Sequence, residues 1–507
     1  MLSHKKTFVK DISFSYFYIS VYLITGILTT PMLLNHFEAD YFALLMLIYA
    51  IITYLNNIRF GLPESLAALL AKSKDRSFNI SMVKKNFLIL ILITFTVLIL
   101  LFIVGFIISD WRIVLGDVYA LNKDDVINVF YILIIFALLK IPLDISLSVF
   151  VGFHEVYLEK IYKIINPLVN FLLVLFVVST GKSILFFAFW AGLFDFLVSL
   201  TSFIHVIIRY DILKENYTAK NINSVEFLKA GMLFFQLSLT QTIIWGIGIF
   251  FVSHMLSLES VTIYSLTMKI YIYIFYTYII VNSVVAPLYG KYFSDNNWNE
   301  IKKIFNLLTL LLPFLGGFIW IGTLYFMSNI ITLWTGSIEF YIGHLFVFII
   351  GIFFYFIGYI NSYITLLYSI GEIKNIIYIR WKEVVVNLSV TFIAIYFMGV
   401  VGVAIGMSLA IVLVSVSYLP KYVQIASNGE INLNFSIQKK HFLFVLLPNI
   451  VIAFSVTYFV EIFLIKLLFF VVMSTIYMLS SWHMLPAKDK VYIMSLLNYK
   501  KGIVEKQ

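Results

Sequence analysis

Apolar residues run through this chain in long stretches broken by short polar clusters, without the every-second-residue alternation of a half-buried strand. A helix rises 1.5 Å per residue, so roughly 20 apolar residues cross about 30 Å of hydrocarbon. By that measure the runs predict about fourteen membrane-spanning helices. They lie near 13–37, 42–71, 87–109, 126–152, 161–179, 183–208, 228–253, 261–290, 304–332, 342–370, 376–398, 400–423, 442–460 and 465–485. Backbone groups left unpaired in lipid allow only helices or closed barrels to span it, and barrel strands would alternate. The expected fold is an all-α polytopic membrane protein.

Composition agrees. Hydrophobic residues make up 62% of the 507 positions and charged ones 12%, too few to coat a soluble globule of this size. The first apolar run follows His4-Lys5-Lys6 but is too long for a signal peptide and lacks its cleavage pattern, so it reads as the first span. Cysteine is absent, which excludes disulfides, thiol catalysis and Cys-ligated metal sites. No Gly-x-x-x-x-Gly-Lys-Ser/Thr loop occurs, so no ATPase of the P-loop type is expected. Nothing in the sequence calls for a cofactor or metal.

The net charge of +9 is explained by where the charges fall. With the N-terminus placed in the cytoplasm, 28 of the 35 Lys and Arg lie in cytoplasmic segments, 4 outside (Arg112, Lys123, Lys182, Lys466) and 3 within spans (Arg59, Lys140, Lys269). That asymmetry follows the positive-inside rule and puts both termini in the cytoplasm. Basic stretches such as Lys72–Lys85, Lys214–Lys229 and Lys488–Lys506 then suit anionic membrane lipids rather than nucleic acid. The longest external loop, around Ser109–Asp125, is too short for a folded domain.

A faint repeat subdivides the chain. A shift of 222 lays Phe42–Tyr54 over Tyr264–Tyr276, and a shift of 217 pairs Glu155 with Glu372, Lys163 with Arg380 and Asn170 with Asn387, while Gly181 falls one residue from register with Gly399. Six spans separate the equivalents, which makes the repeat parallel. The expected domains are a six-helix bundle over 1–210, a second over 225–425, and an added helix pair with a tail over 440–507. Seven prolines fall inside spans, with Pro63 and Pro287 expected to close equivalent helices. Two rocking halves with bent helices suit a transporter that works by alternating access.

The stretch Ile24–Asp75, ITGILTTPMLLNHFEADYFALLMLIYAIITYLNNIRFGLPESLAALLAKSKD, resembles the opening of the Wzx-type polysaccharide flippases of the MOP superfamily. GVVGVAIG at Gly399–Gly406, ITLWTG at Ile331–Gly336 and the basic loop after Pro287 extend the resemblance over most of the first 425 residues. Two spans beyond the common twelve leave the subfamily open, since lipid II flippases also carry fourteen. The resemblance implies a bacterial inner-membrane protein that moves an undecaprenyl-diphosphate-linked oligosaccharide, such as an O-antigen unit, to the periplasmic leaflet. Polysaccharide polymerase and chain-length proteins are the partners it implies.

Ionisable residues within spans are costly and face a partner or a wet cavity. Lys140 and Asp144 stand one turn apart with Pro142 between them, either as a local ion pair or as part of a cavity. Asp195 has no opposite charge near it in sequence and is the leading candidate for ion coupling, with Asp144, Lys140 and Glu64 as further candidates. Lys269, with Tyr273 and Tyr276 near its helical face, suits a diphosphate beside sugar rings, or else an ammonium snorkelling to the interface. Asn56, Arg59 and Glu64 cluster around Gly61 and Pro63 near the cytoplasmic end of the second span, where a phosphate would arrive first. Arg59 and Lys269 are thus expected to serve the inward- and outward-open states respectively. Two other functions compete. A lipid-linked glycosyltransferase or polymerase would use Glu38 and Asp40, but their loop of roughly four residues gives a metal and acceptor no platform. An ion-coupled multidrug exporter would be expected to have only twelve spans.

Overall fold

The computed structural model describes residues 2–73, 75–107, 111–116, 121, 123–213, 224–431 and 436–491. The external loop at Ser109–Asp125 and the basic stretches Lys72–Lys85, Lys214–Lys229 and Lys488–Lys506 lie partly outside these residues. Every regular element among the described residues is a helix. Among the described residues, thirteen helices are long and apolar enough to cross a membrane. The first of them is double: α1 (Leu2–Leu55) breaks at Glu38, where the backbone leaves helical geometry at φ 64° and ψ 168°. Counting its two parts separately gives fourteen passes, as the apolar runs predict.

Two spans differ from expectation because their helices are interrupted. The second does not run unbroken over 42–71: α1 ends at Leu55, a 3-10 turn covers Asn56–Arg59, and Phe60 and Gly61 are both left-handed before α2 (Leu62–Lys72) begins. Pro63 therefore opens a helix instead of closing one. In the first turn a proline sacrifices no helical hydrogen bond, and its fixed φ favours the start. Gly61 is required there, since a Cβ would lie 2.2 Å from the Gly231 carbonyl oxygen. Pro287 does not close a helix either, because α10 (Leu258–Ser294) continues past it.

The fourth span is α5 (Lys123–Lys140) followed by α6 (Ile145–Gly152), with a turn at 141–144 between them. Pro142 has no N–H to donate to the carbonyl one turn earlier. The Leu138 carbonyl accepts from Ile141 N at 3.0 Å, and the Lys140 carbonyl accepts from Leu143 N and Asp144 N at 2.9 and 3.1 Å. Between α2 and α5 lie α3 (Arg76–Ile107) and the short α4 (Arg112–Leu115). Beyond α6, α7 (Val156–Thr180) ends at left-handed Gly181, and Ser183 caps α8 (Ile184–Arg209) by accepting from Phe186 N.

The remaining helices are α9 (Ser224–Met255), α11 (Trp298–Thr335), α12 (His344–Ser369), α13 (Ile373–Met398), α14 (Val401–Ala410), α15 (Val416–Ala426), α16 (Ser436–Lys440), α17 (Leu447–Phe459) and α18 (Phe463–Met484). π-helical turns at Ile411–Ser415 and His441–Leu446 join α14 to α15 and α16 to α17. By packing, the chain forms two compact units, Met1–Lys269 and Ile270–Gln507.

In the second unit, small residues let large side chains approach, as expected where lipid supplies no hydrophobic drive between helices. Gly351 of α12 lies under the Trp320 indole, and Gly317 of α11 lies under the Tyr477 hydroxyl, which donates to the Phe314 carbonyl at 2.9 Å. That contact ties α18 to α11.

Candidate functional site

The first unit encloses a cavity of about 570 Å³, within the roughly 300–1,000 Å³ usual for small-molecule sites. Its walls come from α1, the broken second span, the broken fourth span, α7 and α8. Six sequence candidates meet there: Asn56, Arg59, Glu64, Lys140, Asp144 and Asp195. Lys269, Tyr273 and Tyr276 are not among its lining residues. They sit half-buried on α10, Lys269 closing the first unit and the two tyrosines belonging to the second.

The contacts between α8 and the fourth span form a ladder. Gly192 lies against the Phe136 ring, where a Cβ would come within 2.7 Å of it. About one turn further along each helix, Lys140 Nζ meets Asp195 Oδ2 at 2.7 Å, and the next turn brings the Ser199 hydroxyl to Asp144 Oδ1 at 2.7 Å. Beyond that, the Ser146 and Ser202 hydroxyls are 2.6 Å apart. The turn at 141–144 lets Lys140 and Asp144 face α8 together, with Lys140 Nζ 4.0 Å from Asp144 Oδ2. The local pair expected from sequence is therefore the longer of two, and the shorter joins residues 55 positions apart.

α7 adds a polar stripe that the sequence reading passed over. Glu159, Lys163, Asn166 and Asn170 recur at helical spacing and all line the cavity. Lys163 Nζ lies 2.5 Å from Glu159, which also meets Lys160 at 2.9 Å. The Asn166 amide donates to Asp195, and Asn170 donates to the Asn166 side-chain oxygen at 2.8 Å. The spacing is present in the sequence, where Lys163 and Asn170 mark the repeat and Glu159 and Asn166 carry no separate signal. Tyr18, Tyr22 and Tyr162 contribute aromatic faces to the same wall.

Arg59 stands apart electrically. Its Nε donates to the Asn56 carbonyl at 2.9 Å, and among the described residues no carboxylate lies within ion-pair distance of it. It is half-buried and within electrostatic reach of both Lys140 and Lys163. Three cations and four carboxylates line the cavity, a formal charge of −1. Most of them are committed to one another, which leaves Arg59 as the group most available to an anion. Among the described residues, no set of three His, Cys, Asp or Glu could hold a metal ion.

At the end of the bundle where α8 finishes, outside the spans, Glu155 accepts from Arg209 Nε at 2.8 Å and from the Tyr210 hydroxyl. Burial pushes its carboxyl up, but the hydrogen bonds from Arg209 and Tyr210 outweigh burial and hold it below the usual carboxylate value. In the second unit a smaller cavity of about 380 Å³ has a mainly apolar lining that includes Tyr355, Phe356, Tyr359 and Phe442, with Lys439 also on its wall.

The family described as polysaccharide biosynthesis protein matches residues 9–293, more than half of the chain and all of the cavity wall. The chain belongs to that family. No curated protein matches it. Among solved structures it is similar to an inward-facing multidrug resistance MATE family transporter of the MOP superfamily, at TM-score 0.66 and 12% identity over 81% of this chain and 95% of the other. It is also similar to the lipid II flippase MurJ in an inward closed conformation, at TM-score 0.64 and 14% identity over 92% and 98%. A MOP superfamily transporter from Pyrococcus furiosus gives 0.61 and 12% over 85% and 97%. The fold is thus the one shared by these MOP superfamily structures, and this member of the polysaccharide-biosynthesis family is a multi-pass membrane protein.

Proposed function

We propose that this polysaccharide-biosynthesis protein is a flippase that carries an undecaprenyl-diphosphate-linked oligosaccharide, an O-antigen or other surface-polysaccharide unit, across the bacterial inner membrane by alternating access. The observation that carries the reading is Arg59: an arginine without a carboxylate partner among the described residues, in a cavity walled by tyrosines and asparagines. A guanidinium pairs with phosphate oxygens in a planar fork, while ring faces and amides suit sugars. The family match and the likeness to MurJ support the same substrate class. The cavity lies where α7 begins and α8 ends, the cytoplasmic side under the positive-inside assignment, so Arg59 would receive substrate in the inward-open state. Lys269, Tyr273 and Tyr276 would serve the outward-open state, and polymerase and chain-length proteins would take the product.

Two six-helix halves fit this mechanism. Glu155 and Glu372 both precede a helix, α7 and α13, and Gly181 and Gly399 both end one at positive φ. The four carboxylates on the wall, with the likeness to MATE transporters, favour a second reading, export of organic cations. A deletion strain complemented with Arg59→Gln separates the two. Loss of a charge-assisted phosphate contact is expected to cut surface-glycan output by roughly tenfold or more, with lipid-linked glycan accumulating inside. Undiminished glycan export with lost resistance to cationic dyes would establish the second reading instead.

A further inference from the structure

The charge balance of the first-unit cavity has a consequence for what moves with the substrate. Three lining cations face four lining carboxylates, and Lys160 reaches Glu159 from outside the lining, so the site without substrate is close to neutral. A diphosphate diester brings two negative charges into it. Arg59 can answer one of them. Of the two other lining cations, Lys163 shares Glu159 with Lys160, whereas Lys140 is held by Asp195 at 2.7 Å and lies 4.0 Å from Asp144. Both ends of its principal pair reach the cavity, with side chains 22% and 29% exposed.

We infer that Lys140 is handed from Asp195 to the diphosphate when substrate binds, and that Asp195 then takes one proton from solution, so that substrate and proton bind together. This rests on the lipid-diphosphate reading of the site. A carboxylate stripped of its counter-ion within a membrane span is costly, and neutralisation by a proton is the cheapest relief. The balance is simple: the Asp195 carboxylate gains a proton from water, and the ammonium keeps its own while exchanging one anionic partner for another.

The surroundings single out Asp195. Lys140 and Asp144 face it from the fourth span, Arg59 and Glu64 line the cavity from the second, and Tyr49 of α1 lies within electrostatic reach. From α7, Glu159 and Lys163 are already paired with each other, and Asn166 donates its amide to Asp195. Asn166 can present its amide to either form of the acid, so the network survives protonation. Asp144 instead keeps the Ser199 hydroxyl as donor when Lys140 swings away. Glu64 is exposed and has no cation to lose among the described residues.

Calorimetric titration of the purified full chain in buffers of different ionisation enthalpy tests this. The probe is a farnesyl-diphosphate-linked N-acetylhexosamine, whose diester phosphates do not titrate near neutrality. The expected result is uptake of about one proton per probe bound, with affinity rising up to about tenfold for each unit fall in pH. Asp195→Asn should bind the probe without proton uptake. Lys140→Met, the second variant, should bind more weakly and also without uptake. Binding by the unaltered protein with no uptake, or with proton release, overturns the inference and leaves the lipid-diphosphate reading standing. Uptake retained in Asp195→Asn overturns it as well. No binding at all overturns both.

Discussion

Gly192 sets how near α8 comes to the fourth span, and with it the distance between Lys140 and Asp195 about one turn further on. In Gly192→Ala the new methyl would meet the Phe136 ring at 2.7 Å and its Cβ at 3.0 Å. Overpacking of this kind costs roughly 1–3 kcal/mol. The variant is expected to unfold at lower temperature in a thermal-shift assay and to lose transport, because parting the helices lengthens the ion pair. At this scale the sequence was partly legible. Lys140 and Asp144 stand one turn apart in any helical reading, whereas the Asp195 contact depends on the register of two packed helices and leaves no local trace. Asn166 and Asn170 were visible as a stripe on α7, but a stripe does not reveal which cavity it faces.

Helix existence follows from apolar length, so the passes could be read off; helix interruption follows from where backbone carbonyls find new donors, which apolar length does not encode. Pro142 gave notice of one break, while Phe60 and Gly61 gave little, since a left-handed phenylalanine is dictated by its neighbours. The clasp of Glu155 with Arg209 and Tyr210, which binds the start of α7 to the end of α8, makes a prediction of its own. A carboxyl held below its unfolded value contributes stability above that value and loses it as pH falls through the lower, folded one. Glu155→Gln is therefore expected to be less stable at neutral pH by about 1 kcal/mol, discounted because Arg209 is 38% exposed. The difference should shrink as pH falls below the ordinary glutamate value and vanish below the lower, folded one, as followed by unfolding at several pH values.

For the molecule as a whole, an even number of passes would put both termini on one side, and the excess of basic residues in alternate loops leads us to propose the cytoplasm as that side. A fluorescent protein fused after Gln507 is expected to glow in the cytoplasm, and alkaline phosphatase placed there to be inactive; activity would reverse the assignment of the cavity's mouth.

The near-neutral cavity then matters for voltage. If two negative charges leave with one proton, each cycle exports one net negative charge from a cell whose interior is negative. A full charge crossing 100 mV is worth about 2.3 kcal/mol, so the resting potential itself pushes the loaded glycan outward. A potassium-valinomycin potential, negative on the substrate-loading side of proteoliposomes, should accelerate transport, and reversing its sign should slow it.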